Sequence, residues 1–200
     1  MSEEKTILNN WIREPKIAAQ VYEFYISGGI ESPECYIDMF DLIRHARHDD
    51  VVKLYINSFG GDLFTGIQFL RVLSETNALV VVSIEGACMS AATLLFLAAD
   101  QVEITPHSSI MIHNYSSGTF GKGNEMHLQI QHERKWSETL FRDVYEDFLT
   151  AEEIQSVIDG KDIWLDSDNV MERMQKRADA RKALAELEEA TKPEKDEDGE

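Results

Sequence analysis

One serine sits where a chain could hold a reactive hydroxyl. Ser90 lies between the β-branched run at 80–84, which reads as a buried strand, and the apolar run at 91–99, which reads as a buried helix. At such a junction the hydroxyl can stand over a cleft while backbone N–H groups of the helix start point to the same place. That arrangement suits a nucleophile with built-in oxyanion donors. It also suits a small hydroxyl tolerated at a helix N-terminus, where serine is common. Two more stretches carry useful residue types. Asn57-Ser58-Phe59-Gly60-Gly61-Asp62 reads as a tight glycine turn after a strand, and paired glycines let backbone approach a ligand closely. An ordinary strand–helix turn would look the same. His113 ends a short strand and faces the glycine-rich segment 116–123.

The elements that must position these residues follow from hydrophobic period and turn signals. Strands are expected at 20–26, 51–56, 80–84, 101–104 and 109–113, with Ser27-Gly28-Gly29 ending the first. Ser32 and Pro33 open a helix that runs to about His48, and a second helix follows the glycine turn through Ile67, Leu70 and Leu73. A long amphipathic helix is expected over 124–148. Thr150-Ala151-Glu152-Glu153 reads as the capping box of a short helix to Ile158, and another short helix spans 167–176. Alternating strands and helices imply an α/β fold with largely parallel strands and a site at their carboxyl ends. Three stretches result: an N-terminal arm at 1–19, one domain at 20–176, and at 177–200 a helical extension followed by an acidic, disordered tail from Glu186.

Composition narrows the function. The 200 residues carry a formal charge of −18, which argues against nucleic acid as the main ligand. No apolar run approaches the ~20 residues a membrane-spanning helix needs, and the start lacks the order of a signal peptide. Cys35 and Cys88 lack metal-type spacing, so a reduced, cytoplasmic protein is expected. His45, His48, His127 and His132 have no cysteine or paired-carboxylate companions, so no metal and no cofactor are expected.

Taken together, Asn57-Ser58-Phe59-Gly60-Gly61, Gly86-x-x-x-Ser90, Met111-Ile112-His113 and Lys161-Asp162 resemble the motifs of the Clp protease proteolytic subunit family, in order and over residues 20–175. The resemblance implies the repeated strand–strand–helix superhelical fold shared with the crotonase superfamily, with a protruding handle helix. It implies Ser90 as nucleophile, His113 as general base and Asp162 as the acid that orients the histidine, with Asp166 and Asp168 as its neighbours in sequence. It further implies Gly61 and Ala91 as backbone donors of an oxyanion hole, and Gly118, Thr119 and Phe120 as the strand that binds substrate. A homo-oligomer of stacked rings, unfolded polypeptide substrates and an AAA+ unfoldase partner come with the same resemblance. The long helix, through Leu128, Trp136, Leu140 and Phe141, is then expected at the interface between subunits.

Several residues depart from the family pattern. Phe59 and Tyr115 stand where prolines are usual, Cys88-Met89 and Ala91-Ala92 flank the serine, and Lys53 replaces an aromatic on the strand that forms the unfoldase docking pocket, where Tyr55 is kept. An unpaired ammonium there would be costly to bury. With the acidic end, these departures resemble the Clp-like proteases of tailed phages. The rival expectations are a catalytically silent ring subunit and, on the same fold, an acyl-CoA enzyme.

Overall fold

The computed structural model describes residues 18–191, so all but the last two residues of the arm at 1–19 and the last nine residues of the acidic tail lie outside the described residues. These residues form a six-stranded sheet: β1 (Val21–Ile30), β2 (Val51–Gly61), β3 (Leu79–Met89), β4 (Gln101–Ile104), β5 (Ser109–Ile112) and β6 (Ile163–Asp166). The order is β1-β2-β3-β5-β6, with β4 also paired to β3. All neighbours are parallel except β5 and β6, which are antiparallel.

β3 is the spine. Its run Val80 to Ile84 is buried, as a parallel strand covered on both faces must be. Its first half pairs with β4 and its last residues, Ala87 to Met89, pair with β5. At the changeover the Ser108 hydroxyl donates to the Ile84 carbonyl at 2.8 Å, so the break in the ladder leaves that acceptor satisfied. The sheet is flanked by α1 (Ile37–His45), α2 (Leu63–Glu75) and α3 (Ala92–Leu97). Phe40 and Phe69 meet edge-on between α1 and α2, with ring centroids 4.7 Å apart, and every residue of α3 is buried. The remaining helices are α4 (Gly123–Tyr145), α5 (Ala151–Ile158) and α6 (Ser167–Thr191). α5 opens on the expected capping box, with Thr150 accepting from the Glu153 N–H and Glu153 from that of Thr150.

Four expectations are corrected. β1 does not end at Ser27 but continues to Ile30 across a register shift at Gly28/Gly29, and β2 continues through the glycine pair to Gly61. The helix opened by Ser32 starts as a 3₁₀ turn over Pro33–Tyr36, is α-helical only from Ile37 to His45, and gets no side-chain cap from Ser32. The two helical stretches after 167 are one helix, α6, so the chain stays helical past Glu186 to Thr191. Lys53 is not unpaired: its ammonium lies 2.8 Å from Glu103 on β4 and 5.2 Å over the Tyr55 ring. The small Ser83 stands between Tyr55 and Glu103 across the three strands, which leaves the lysine room to reach.

α4 has a first half without buried residues and a docked second half. Its buried residues, Ser137, Phe141 and Tyr145, all fall in the second half, whereas Leu128 and Ile130 in the first half are more than half exposed. That is the form of a helix protruding from the body. Among the described residues no helix is long and apolar enough to cross a membrane.

Candidate active site

β3 delivers Ser90 to the top of the sheet and α3 begins two residues later. The turn between them is sharp, and Ser90 takes it at φ +54°, in the left-handed region that non-glycine residues avoid. Such a conformation persists only where the surroundings hold it, and here the Ser90 N–H donates to the Met111 carbonyl at 2.8 Å while its own carbonyl accepts from the Thr93 N–H at 2.9 Å. The strained turn has the form of the nucleophile elbow known from α/β-hydrolases.

His113 follows β5 directly. Its Nε2 lies 2.7 Å from Ser90 Oγ, within the reach a general base would need to a nucleophilic hydroxyl. For Nε2 to accept the serine proton, the ring must carry its own proton on Nδ1. Next to it, the Asn114 amide donates to the Ile158 carbonyl at 3.1 Å and ties the end of β5 to α5.

The glycine pair lies against the elbow. A Cβ on Gly60 would stand 2.7 Å from Ser90 Cβ and 2.8 Å from the Met89 carbonyl, and Gly60 has φ +94°. Any side chain there would push the serine out of place. A Cβ on Gly61 would meet the Ile30 carbonyl, so the bulge of β2 against β1 also requires glycine. Among the described residues the Ala91 N–H has no acceptor, and with Gly61, Ser90 and His113 Ala91 lines one cleft of about 580 Å³.

Asp162 precedes β6 and is exposed. β5 and β6 pair from Ser109↔Asp166 to Ile112↔Ile163, where the ladder ends; one further step of that register would set Asp162 opposite His113. Residues so paired have Cβ atoms about 4.5–5.5 Å apart. No hydrogen bond joins the two among the described residues. Asp166 is otherwise employed: its carboxylate accepts from the Asn169 N–H at 2.9 Å and its amide at 2.7 Å, bonds that hold it below the usual carboxylate range. Asp168 lies in the first turn of α6.

The residues just before the expected substrate strand, Tyr115, Ser116 and Ser117, line the cleft. Gly118, Thr119 and Phe120 do not line it, and Phe120 is fully exposed. The segment carries no strand; Thr119 and Ser117 instead bond to Gln129 and Glu133 of α4.

The far wall of the cleft was not foreseen. Phe64 on α2 stacks on Trp136 of α4 at 5.4 Å, with Leu140, Phe141 and Tyr145 continuing the wall. The apolar residues of α4 were expected at an interface between subunits, yet three of the four, Trp136, Leu140 and Phe141, face the cleft, which leaves Leu128 and Ile130 uncovered. Their wider spread along the helix, beyond one stripe, was the available signal. Cys88 is no rival nucleophile, because burial pushes its thiol well above the usual range. Among the described residues no three metal-binding side chains cluster.

Comparison with known proteins follows this geometry. A family model described as Clp protease matches residues 35–173. Over 106 residues the chain is 30% identical to an ATP-dependent Clp protease proteolytic subunit of Deinococcus radiodurans, a match covering 52% of each protein. Over 146 residues it is 23% identical to a subunit of the same description from Bacteroides thetaiotaomicron, covering 72% of this chain and 60% of that one. The matches thus span only about half to three fifths of these relatives' length. Among solved structures, a mutant of ClpP1 from Listeria monocytogenes shares the fold with a TM-score of 0.62 at 21% identity, covering 76% of this chain and 86% of that one.

Proposed function

The chain belongs to the Clp protease family, and from that premise we propose that it is a serine endopeptidase that cleaves unfolded or extended polypeptides inside a ring of its own copies. The observation that carries this reading is the 2.7 Å contact of His113 Nε2 with Ser90 Oγ at a residue held at φ +54°. In the proposed reaction His113 takes the Ser90 proton as Oγ attacks the peptide carbonyl. The oxygen that gains the charge is held by the Gly61 and Ala91 N–H groups, a pair in which each donor is typically worth ~10²–10³ in rate. His113 then protonates the leaving amine, and water repeats the sequence on the acyl-enzyme. Asp162 orients the imidazole and stabilises its charged form. Gly118, Thr119 and Phe120, which carry no strand on their own, take up extended form and pair with the substrate backbone as it enters. No metal or cofactor takes part.

The first half of α4, with Leu128 and Ile130 exposed, supports assembly through that helix. The test combines both claims: the purified protein is incubated with a chemically unfolded protein while its mass is followed by native mass spectrometry. We expect peptides to be released by a species several times the 22.8 kDa chain mass. Assemblies that leave the unfolded chain intact would contradict the reading.

A partner unfoldase would dock on the outer face of β1 and β2. That face exposes Val21 and Tyr25 but is crossed by charges and braced: Tyr25 stacks on Tyr55 at 4.8 Å, the Tyr55 hydroxyl donates to Glu23 at 2.6 Å, and Lys53 bridges to Glu103. A greasy docking loop would have to cover the paired Glu23, Lys53 and Glu103 as well, so a general bacterial Clp unfoldase should activate this protein weakly or not at all. Replacing Lys53 by Tyr should raise ATP-dependent degradation of a tagged folded substrate. Strong activation of the wild type, unchanged in Lys53→Tyr, would count against this.

A further inference from the structure

The carbonyl of Ser90 is gripped twice. It accepts from the Thr93 N–H at 2.9 Å and from the Thr93 hydroxyl at 2.7 Å. A threonine bonding back to a carbonyl three residues earlier is common in helices. What is not common is the second hydroxyl: Tyr145, the last residue of α4, lies with its OH 2.6 Å from Thr93 Oγ1. Thr93 has one hydroxyl proton. Since that proton goes to Ser90, the tyrosine must be the donor of the second bond. Both side chains are buried, Thr93 completely and Tyr145 to 4% exposure, and the Tyr145 ring is stacked on Phe141. Burial pushes the phenol far above its usual range, so it keeps the proton it donates.

The consequence lies in one peptide plane. The Ser90 carbonyl and the Ala91 N–H belong to the same trans peptide and point in opposite directions. Fixing the carbonyl toward Thr93 therefore fixes the N–H toward the cleft. We propose that Thr93 and Tyr145 are positioning residues for peptide hydrolysis, a buried hydroxyl pair that aims the Ala91 N–H at the developing oxyanion. This rests on the reading of Ser90 as nucleophile. Without Tyr145 the threonine hydroxyl can turn away; without the hydroxyl the strained peptide at φ +54° is held by one bond instead of two.

The test uses Thr93→Val, which keeps the shape and removes the hydroxyl, Thr93→Ser, which restores it, and Tyr145→Phe. Two readouts are taken: kcat and KM on a fluorogenic peptide, and inhibition by a peptide aldehyde, whose adduct places an oxyanion in the hole. Thr93→Val should lower kcat by about 10–100-fold with KM within about twofold, because the interaction is made in the transition state and not in the ground state. Aldehyde affinity should fall by a similar factor. Thr93→Ser should stay within about threefold of wild type, and Tyr145→Phe should lose about 3–10-fold, with no further loss when added to Thr93→Val, since it acts through Thr93. Wild-type kcat and aldehyde affinity in Thr93→Val would overturn the inference, as would a Thr93→Ser that is equally impaired. If Thr93→Val does not fold, Tyr145→Phe decides alone, and wild-type values there overturn it. A wild-type protein that neither cleaves peptide nor binds the aldehyde overturns the nucleophile reading as well. Active wild type with an indifferent Thr93→Val overturns only this inference.

Discussion

Ser90→Ala should bring peptide hydrolysis down by roughly 10⁵–10⁶, because a triad without its nucleophile keeps only what binding and the oxyanion hole provide. The fold should be unmoved. Alanine keeps the Cβ of serine, so the backbone at φ +54° is no more strained than before, and the bonds that hold the turn are made by the backbone of residue 90. Ser90→Gly separates the two roles of the position. It should be as inactive as the alanine variant yet more stable, by about 1 kcal/mol, since glycine enters the left-handed region without penalty. Thermal unfolding read beside activity checks both. A Ser90→Ala variant that retains appreciable hydrolysis would remove Ser90 from the reaction. A Ser90→Gly variant less stable than alanine would mean the strain has been misjudged.

The second large effect concerns which carboxylate serves the histidine. Asp162→Asn should cost about 10³–10⁴ in turnover, because an amide favours the wrong tautomer of the imidazole. Asp166→Asn should cost no more than a few-fold, because that side chain is engaged with Asn169 at the start of α6, and asparagine also serves at helix starts. The register of β5 against β6 is the reason for the choice, since its continuation by one step would carry Asp162 to His113, whereas Asp166 pairs with Ser109. Steady-state kinetics on the two variants settle it. Equal losses, or a larger loss at Asp166, would contradict the assignment.

How far these features could be read in the sequence depended on how local their causes are. The apolar α3 and the Thr150 capping box are written in adjacent residues and stand as read, as does the buried strand at 80–84 except that it runs on to Met89. Glycines were harder. Gly28 and the pair Gly60-Gly61 looked like strand endings, but in a parallel sheet they bend and shift the strand while pairing continues. The positive φ of Ser90 has no signature in residue type, because serine is an ordinary residue that only the surrounding fold forces into that conformation. Contacts across long sequence distances were the least legible. Lys53 looked unpaired because Glu103 stands two strands away from its own, and Tyr145 reaches Thr93 from the end of a helix that the sequence suggested would serve assembly. In each case the missing information is register or helix rotation, which pattern alone does not specify.

The most direct measurement of the central claim is covalent. The assembled wild-type protein is treated with a fluorophosphonate, digested, and the adduct located by mass spectrometry. One adduct is expected, on Ser90, and it should be lost in His113→Ala because the hydroxyl is then no longer activated. An adduct on another serine, or none on folded and assembled protein, would contradict it.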